Sequence, residues 1–190
     1  MGLKNKLLDI FYLANQRFLK RNMSNLANNI SERSLCASLS CEINKILESS
    51  DLCEYFCDVE YNRNGHEVKA IIDDDCKIIK IQNDLIIHSR GTKMKDNLLA
   101  LEMKKSTSSL VKMNEDRNRL KCLTKQECSD IFSYNGLSFP KNVCKYEIGI
   151  FYIIDVNAKI ITIEIYSNSS LVNIETNTFD YFMNYKVENL

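Results

Sequence analysis

The fold of this chain is decided by the stretch Leu98-Leu99-Ala100-Leu101-Glu102-Met103-Lys104-Lys105, an apolar run that predicts a buried strand with charged residues at its end. A second run of this kind, Ile81-Gln82-Asn83-Asp84-Leu85-Ile86-Ile87-His88, precedes it in the chain. A carboxylate on an apolar strand costs several kcal/mol unless something neutralises it, and a bound cation is a common solution. Asp84 and Glu102 are therefore the first candidates for functional residues.

The segments around these two runs predict a layered α/β domain. Apolar spacings of three and four predict helices over residues 3–21 and 31–47, separated by a polar stretch at 22–29. Strands are predicted over residues 55–62, 67–72, 77–90, 98–104, 146–155 and 159–166, with helices over residues 111–124 and 127–134. Asn64-Gly65 predicts a turn. This order indicates a mixed central sheet covered by helices on both faces.

The size and composition of the chain fit one globular domain. It has 190 residues, of which 45% are hydrophobic and 26% charged, with one proline and five glycines. We predict a single domain over residues 1–190, with an N-terminal helix in residues 1–22 and a core in residues 30–166. The 25 basic and 25 acidic residues balance. However, residues 90–125 carry a net charge of +6 and residues 48–75 a net charge of −7, which predicts a polarised surface.

The cysteines and the apolar segments predict a cytoplasmic protein. The eight cysteines form no C-x-x-C pair, and we interpret them as free thiols in a reducing compartment. The N-terminus does not read as a secretory signal, and no apolar run has the length of a membrane span. We therefore expect a cytoplasmic location and no membrane partner.

Alternation along a strand groups the charged side chains. Glu102 and Lys104 are expected on one face while Met103 points away, and a hairpin-like connection is expected to bring Asp84 beside Glu102. Two adjacent carboxylates repel unless a divalent cation lies between them, and oxygen ligands without His or Cys favour Mg²⁺ or Mn²⁺. Lys104 is then placed to orient or help activate water and to offset phosphate charge.

With Glu32 on a preceding helix, the pattern Asn83-Asp84 followed by Glu102-Met103-Lys104 resembles the PD-(D/E)XK nuclease superfamily, which has the restriction-endonuclease-like fold. The resemblance covers about residues 30–124, and Asn83 stands in place of the proline that gives the family its name. It implies an αβββαβ core and Mg²⁺-dependent (or Mn²⁺-dependent) hydrolysis of phosphodiester bonds. DNA is favoured over RNA as the substrate, and an endonuclease is favoured over an exonuclease. It also implies Asp84, Glu102 and the carbonyl of Met103 as metal ligands, Lys104 as the catalytic lysine and Glu32 as an accessory acid.

Basic residues near this motif are candidates for contacts with nucleic-acid phosphates: Arg33, Arg63, Arg90, Lys105, Arg117 and Arg119. Their alternative interpretation is a solvated surface. His66 and His88 are interpreted as bystanders, although alternation places His88 on the side of Asp84, where it stays open as a residue that supports a metal ligand. Two other function classes stay open. One is an inactive nuclease-fold module that binds nucleic acid or assembles proteins, and the other is an unrelated enzyme whose strand acids are structural. Cutting both strands of a duplex usually needs two sites, so a homodimer also stays open.

Overall fold

The computed structural model describes residues 2–61, 63–64, 67–68, 70–72, 78–80, 83–126 and 144–186. This part of the chain contains four helices: α1 (Leu3–Ala27), α2 (Glu32–Glu48), α3 (Leu110–Leu123) and α4 (Phe179–Met183). It also contains ten strands: β1 (Phe56–Val59), β2 (Arg63–Asn64), β3 (Glu67–Val68), β4 (Ala70–Ile72), β5 (Ile78–Lys80), β6 (Leu85–His88), β7 (Asn97–Lys105), β8 (Ile148–Asp155), β9 (Ile160–Ser167) and β10 (Ser170–Thr178).

Six of the strands form one mixed, open sheet in the order β1-β6-β7-β8-β9-β10. Neighbouring strands are antiparallel except for β7 and β8, which run parallel. A parallel pair requires a long crossover connection, and the segment between β7 and β8 contains α3. The remaining strands form two antiparallel pairs, β2 with β3 and β4 with β5.

The two faces of the sheet carry different helices. Leu99, Leu101 and Met103 of β7 pack into a large core with α1 and α2. Ala100, which alternates with them, packs with Ile86, Phe151 and the buried side of α3 in a second core. We call these the α1/α2 face and the α3 face. The predicted α/β architecture, with helices on both faces of a mixed sheet, is therefore confirmed.

The first helix is longer than predicted, because α1 continues through the polar stretch to Ala27. Asn22 is where the predicted helix was to end, and its φ of −116° and ψ of 15° do break the helical geometry locally. Its side-chain amide donates to the carbonyl of Phe18 at 3.0 Å, which satisfies the amide at the kink. Leu26, one turn further on, is buried and anchors the continuing helix.

The prediction of one strand over residues 77–90 is wrong, because β5 and β6 are separate strands that belong to different sheets. The main sheet also runs beyond residue 166 through β10, for which no strand was predicted. Gly65, of the predicted turn, and the predicted helix over residues 127–134 lie outside the described residues. The second helix is confirmed, since Ser31 caps α2 by accepting a hydrogen bond from the backbone N–H of Ser34 at 3.2 Å.

The structure bears on two further sequence-based expectations. Among the described residues, Cys36, Cys41, Cys53 and Cys57 are free thiols, in agreement with the prediction. Within those residues, no helix combines the length and the apolar character that crossing a bilayer demands.

Candidate active site

Asp84 precedes β6 and reaches across to the neighbouring strand. The pairing of Leu85 with Leu101 brings Asp84 level with the charged end of β7. One carboxylate oxygen, Oδ2, accepts a hydrogen bond from the backbone N–H of Met103 at 2.8 Å. The structure thus brings together the two strand segments that carry the predicted motif.

Glu102 and Lys104 both lie toward α3, while Met103 is buried on the α1/α2 face. This is the alternation expected for a strand. The sulfur of Met103 lies 3.7 Å from the thiol sulfur of Cys36 in α2, within the apolar core. The two charged side chains are therefore presented together, and the residue between them is used for packing.

Lys104 is the centre of the site. Its ammonium nitrogen, Nζ, lies 3.4 Å from Oδ2 of Asp84, 3.0 Å from Oδ2 of Asp116 and 3.8 Å from Oε2 of Glu32. It also donates to the carbonyl oxygen of Met103 at 3.0 Å. Burial by itself would lower the pKa of Lys104, but the charges of Asp84 and Asp116 outweigh it and raise that pKa well above its ordinary value. The side chain is therefore held as a cation.

Glu32 is the first residue of α2, next to the capping serine. Its Oε1 accepts from the backbone N–H of Lys105 at 2.9 Å and from the hydroxyl of Ser108 at 3.4 Å. The start of α2 is thereby tied to the end of β7. This contact leaves Oε2 directed toward Lys104 and places the accessory acid beside the strand motif.

Glu102 is 1% exposed and lies under α3. Arg119 of α3 donates to Oε1 of Glu102 at 2.7 Å and to Oδ1 of Asp116 at 2.9 Å. Burial raises the pKa of Glu102 to about 8, Arg119 opposes this shift, and the negative charges of Asp84 and Asp116 add to it. The arginine therefore offsets the burial of this carboxyl group only in part.

Asp116 is a site residue that the sequence reasoning missed. It lies on the buried side of α3 with Met113 and Leu120, three and four residues away. An acid on the apolar side of a helix was the available signal. The contacts of Asp116 with strand residues depend on how α3 packs across the sheet. No local sequence pattern predicts that packing.

The site as a whole carries more negative than positive charge. Four acids, Glu32, Asp84, Glu102 and Asp116, surround Lys104 and Arg119, a net formal charge of −2 when all are ionised. We call these six side chains the charged cluster. Its acceptors are all oxygen atoms, the ligand type that suits Mg²⁺ or Mn²⁺. The oxygen ligands and the excess of negative charge therefore fit Mg²⁺ or Mn²⁺.

The described part of the chain holds no group of three or more His, Cys, Asp or Glu side chains arranged for a metal ion. The predicted ligand set contains two carboxylates and takes its third oxygen from the backbone of Met103. Lys104 contacts two of these three ligands, Asp84 and the Met103 carbonyl. A divalent cation at this position would require the ammonium to move aside.

The predicted phosphate-binding residues are mostly engaged in contacts within the protein. Arg33 pairs with Glu60 at 2.8 Å, and Lys105 donates to Asn29 at 2.7 Å. Arg63 lies in β2. The other three are also paired, Arg90 with Asp58, Arg117 with Glu164, and Arg119 within the charged cluster. Arg33 is the most exposed of the five whose side chains the structure describes, at 74%.

Comparisons with protein-family models, with curated proteins and with solved structures find no match for this chain. Its class is therefore defined by its own architecture, an α/β protein with a six-stranded mixed open sheet and, in the part described, four helices. Since one fold supports many activities, the function has to be argued from the charged cluster itself.

Proposed function

We propose that this protein is a Mg²⁺- or Mn²⁺-dependent nuclease that hydrolyses phosphodiester bonds, with DNA favoured as substrate by the family resemblance. The observation that carries the proposal is that Glu32 and Asp84, which are far apart in sequence, both lie beside the ammonium group of Lys104. The resemblance implies roles for these three residues in one active site, and their distances of 3.4 and 3.8 Å support that proposal. The order α2, β1, β6, β7, α3, β8 also supports it, since it follows the implied αβββαβ core apart from the small strand pairs.

Each residue of the site has a proposed role that follows from its chemistry. Asp84, Glu102 and the Met103 carbonyl would hold the cation, with Glu32 as an accessory acid. When bound, the cation would polarise the phosphodiester and the attacking water. Lys104 moves from Asp84 toward the substrate, where its ammonium offsets phosphate charge and orients the water. Asp116 and Arg119 hold Lys104 and Glu102 from the α3 side.

Replacement of Glu102 by Gln tests the proposal. We expect Glu102→Gln to lower Mg²⁺-dependent cleavage by at least about a hundredfold, since the loss of groups that merely support metal ligands already costs up to that factor. Cleavage would be followed on plasmid, linear duplex and single-stranded substrates, with Mg²⁺ or with EDTA. Asp84→Ala is expected to have the same effect while sparing the fold.

Glu164→Gln is a matched control for this experiment. Glu164 is also a buried strand acid on the α3 face, and it is also paired with an arginine of α3, Arg117. It lies two strands away from Glu102, because Phe151 pairs with both residues. The control variant should lose similar stability and keep its activity. Wild-type cleavage by Asp84→Ala, or equal loss in both glutamate variants, would contradict the proposal.

A specific observation favours a second candidate, a nuclease-fold module without turnover. Arg119 is paired with Glu102, and Lys104 lies against the other two proposed ligands, so all three proposed ligands already have partners within the protein. In such a module, nucleic-acid binding or protein assembly would be the function. Calorimetric titration with Mn²⁺ separates the candidates. The nuclease binds Mn²⁺ and loses that binding in Asp84→Ala, whereas the inactive module gives no binding heat at the acid pair.

A further inference from the structure

A second polar arrangement lies at the far end of β6 from Asp84. Arg90 donates from Nε and Nη2 to the two carboxylate oxygens of Asp58, at 2.8 and 2.7 Å. The same guanidinium lies over the ring of Phe56, 4.1 Å from the ring centre. Nε2 of His88 lies 3.0 Å from Oδ2 of Asp58. The guanidinium group of Arg90 is therefore held along its edge by the carboxylate of Asp58, and one of its faces packs on the ring of Phe56. We call this arrangement the Phe56–Arg90 stack.

The chain contains a buried stack of the same composition. Arg117 donates from Nε and Nη2 to Glu164 at 2.9 and 2.6 Å, and its guanidinium lies 4.8 Å from the ring centre of Phe151. Phe151 is completely buried, so packing of the core accounts for that stack. Phe56, by contrast, is 38% exposed on the edge strand β1, and the side chain of Arg90 is 47% exposed. The Phe56–Arg90 stack therefore has a similar arrangement of groups, but it is exposed to solvent.

The Phe56–Arg90 stack shares a sheet face with the charged cluster. Phe56 pairs with His88 and Asp58 with Ile86, and these two residues of β6 alternate onto the face of Asp84. His88 is four positions beyond Asp84, which is about 13 Å at about 3.3 Å per residue of strand. At about 3.4 Å per nucleotide along one strand of a duplex, this distance corresponds to about four nucleotides.

We propose that the Phe56–Arg90 stack binds a nucleobase of a nucleic-acid strand that passes through the charged cluster. Bases stack on aromatic rings and on guanidinium planes where proteins hold unpaired nucleotides. The carboxylate of Asp58 is paired with both Arg90 and His88, so little negative charge is left uncompensated to repel the backbone of the strand. That the ligand is a nucleic acid rests on the proposed nuclease function. The stack adds to that function a preference for substrates in which a base near the cleaved bond is free to unstack.

Binding of a fluorescein-labelled thymidine oligonucleotide in EDTA tests this site without requiring cleavage. We expect Phe56→Ala and Phe56→Leu to weaken binding, measured by anisotropy, about tenfold, which is the loss typical of one stacked base. Phe56→Leu keeps an apolar side chain at the sheet edge and removes only the ring. Phe56→Trp restores an aromatic face and should bind as the wild type does.

Leu171→Ala is the matched control. Leu171 is an apolar residue on the opposite edge strand, β10, and it is 43% exposed. This variant should bind the oligonucleotide with unchanged affinity. Unchanged affinity of Phe56→Leu, an equal loss in Leu171→Ala, or no measurable binding by the wild type would each overturn the proposed site.

The outcomes also separate this site from the proposed activity. Mg²⁺-dependent cleavage by the wild type, together with unchanged binding in Phe56→Leu, would reject the stack and keep the nuclease. Ring-dependent binding in a protein that cleaves no substrate would keep the stack and reject the nuclease.

Discussion

Arg119 and Arg33 are both paired with a glutamate, but their surroundings differ. Arg119 is mostly buried and bonds to Glu102, which has almost no exposed surface, whereas Arg33 is largely exposed beside Glu60. Removing one partner of a buried pair leaves an uncompensated charge, while an exposed pair is screened by water.

We expect Arg119→Gln to lower the free energy of unfolding by about 3 kcal/mol and Arg33→Gln by less than about 1 kcal/mol. Urea denaturation monitored by circular dichroism would measure both values. Equal losses in the two variants would show that the burial of Glu102 is not the source of the difference.

Asp58 is expected to make the stability depend on pH. Burial acts to raise its pKa, but hydrogen bonds from Arg90 and His88 outweigh burial and hold that pKa below the ordinary value of 3.8. A carboxyl whose pKa is lowered by folding stabilises the protein above its unfolded pKa, and this contribution is lost as the pH falls through the folded pKa.

The stabilisation of the wild type relative to Asp58→Asn should therefore be fully present at about pH 5. It should shrink as the pH falls below 3.8. Urea denaturation at a series of pH values would measure it. A difference that grows toward low pH would contradict the sign of the pKa shift.

The strand residues of the site could be predicted from sequence, but their contacts with α3 could not. Alternation is a local property of a strand, so Glu102 and Lys104 could be assigned to one face before the fold was known. The contacts of Asp116 and Arg119 depend on the position of α3 across the sheet. That position follows from the packing of apolar side chains such as Leu120 and Phe151.

At the scale of elements, the start of α2 positions Glu32. Ser31 caps this helix, and its replacement by alanine leaves a backbone N–H of the first turn without its partner. We expect Ser31→Ala to lower the free energy of unfolding by about 1 kcal/mol.

Ser38, a half-buried residue in the interior of the same helix, provides the comparison. Its hydroxyl donates to the carbonyl of Ser34, and alanine is the better helix former at such a position. Ser38→Ala should be neutral or slightly stabilising in the same denaturation experiment. A loss of stability in Ser38→Ala as large as in Ser31→Ala would exclude capping as the cause.

Element boundaries were predictable where the local chemistry is strong. The serine cap and the apolar stripe fix α2, whereas the apolar run before Asp84 conceals the change from β5 to β6. β10 has no alternating burial, because it lies at the sheet edge with most of its residues exposed, so periodicity gave no signal there.

At the scale of the whole molecule, the alternation of helices and apolar strands was enough to predict an α/β sandwich. The strand order was not predictable, because the neighbours of each strand are set by contacts between distant segments. The parallel pairing of β7 with β8 is the clearest example, since these strands are joined only after the chain has passed over the α3 face.

That parallel pairing has a consequence for synthesis. β7 carries Glu102 and Lys104, yet the strand that completes its hydrogen bonding, β8, ends only at Asp155. A nascent polypeptide still emerging from the ribosome cannot close this ladder, nor seat α3 over Phe151, until that stretch has left the exit tunnel. A partly translated chain therefore lacks the scaffold that brings the four acids of the charged cluster together.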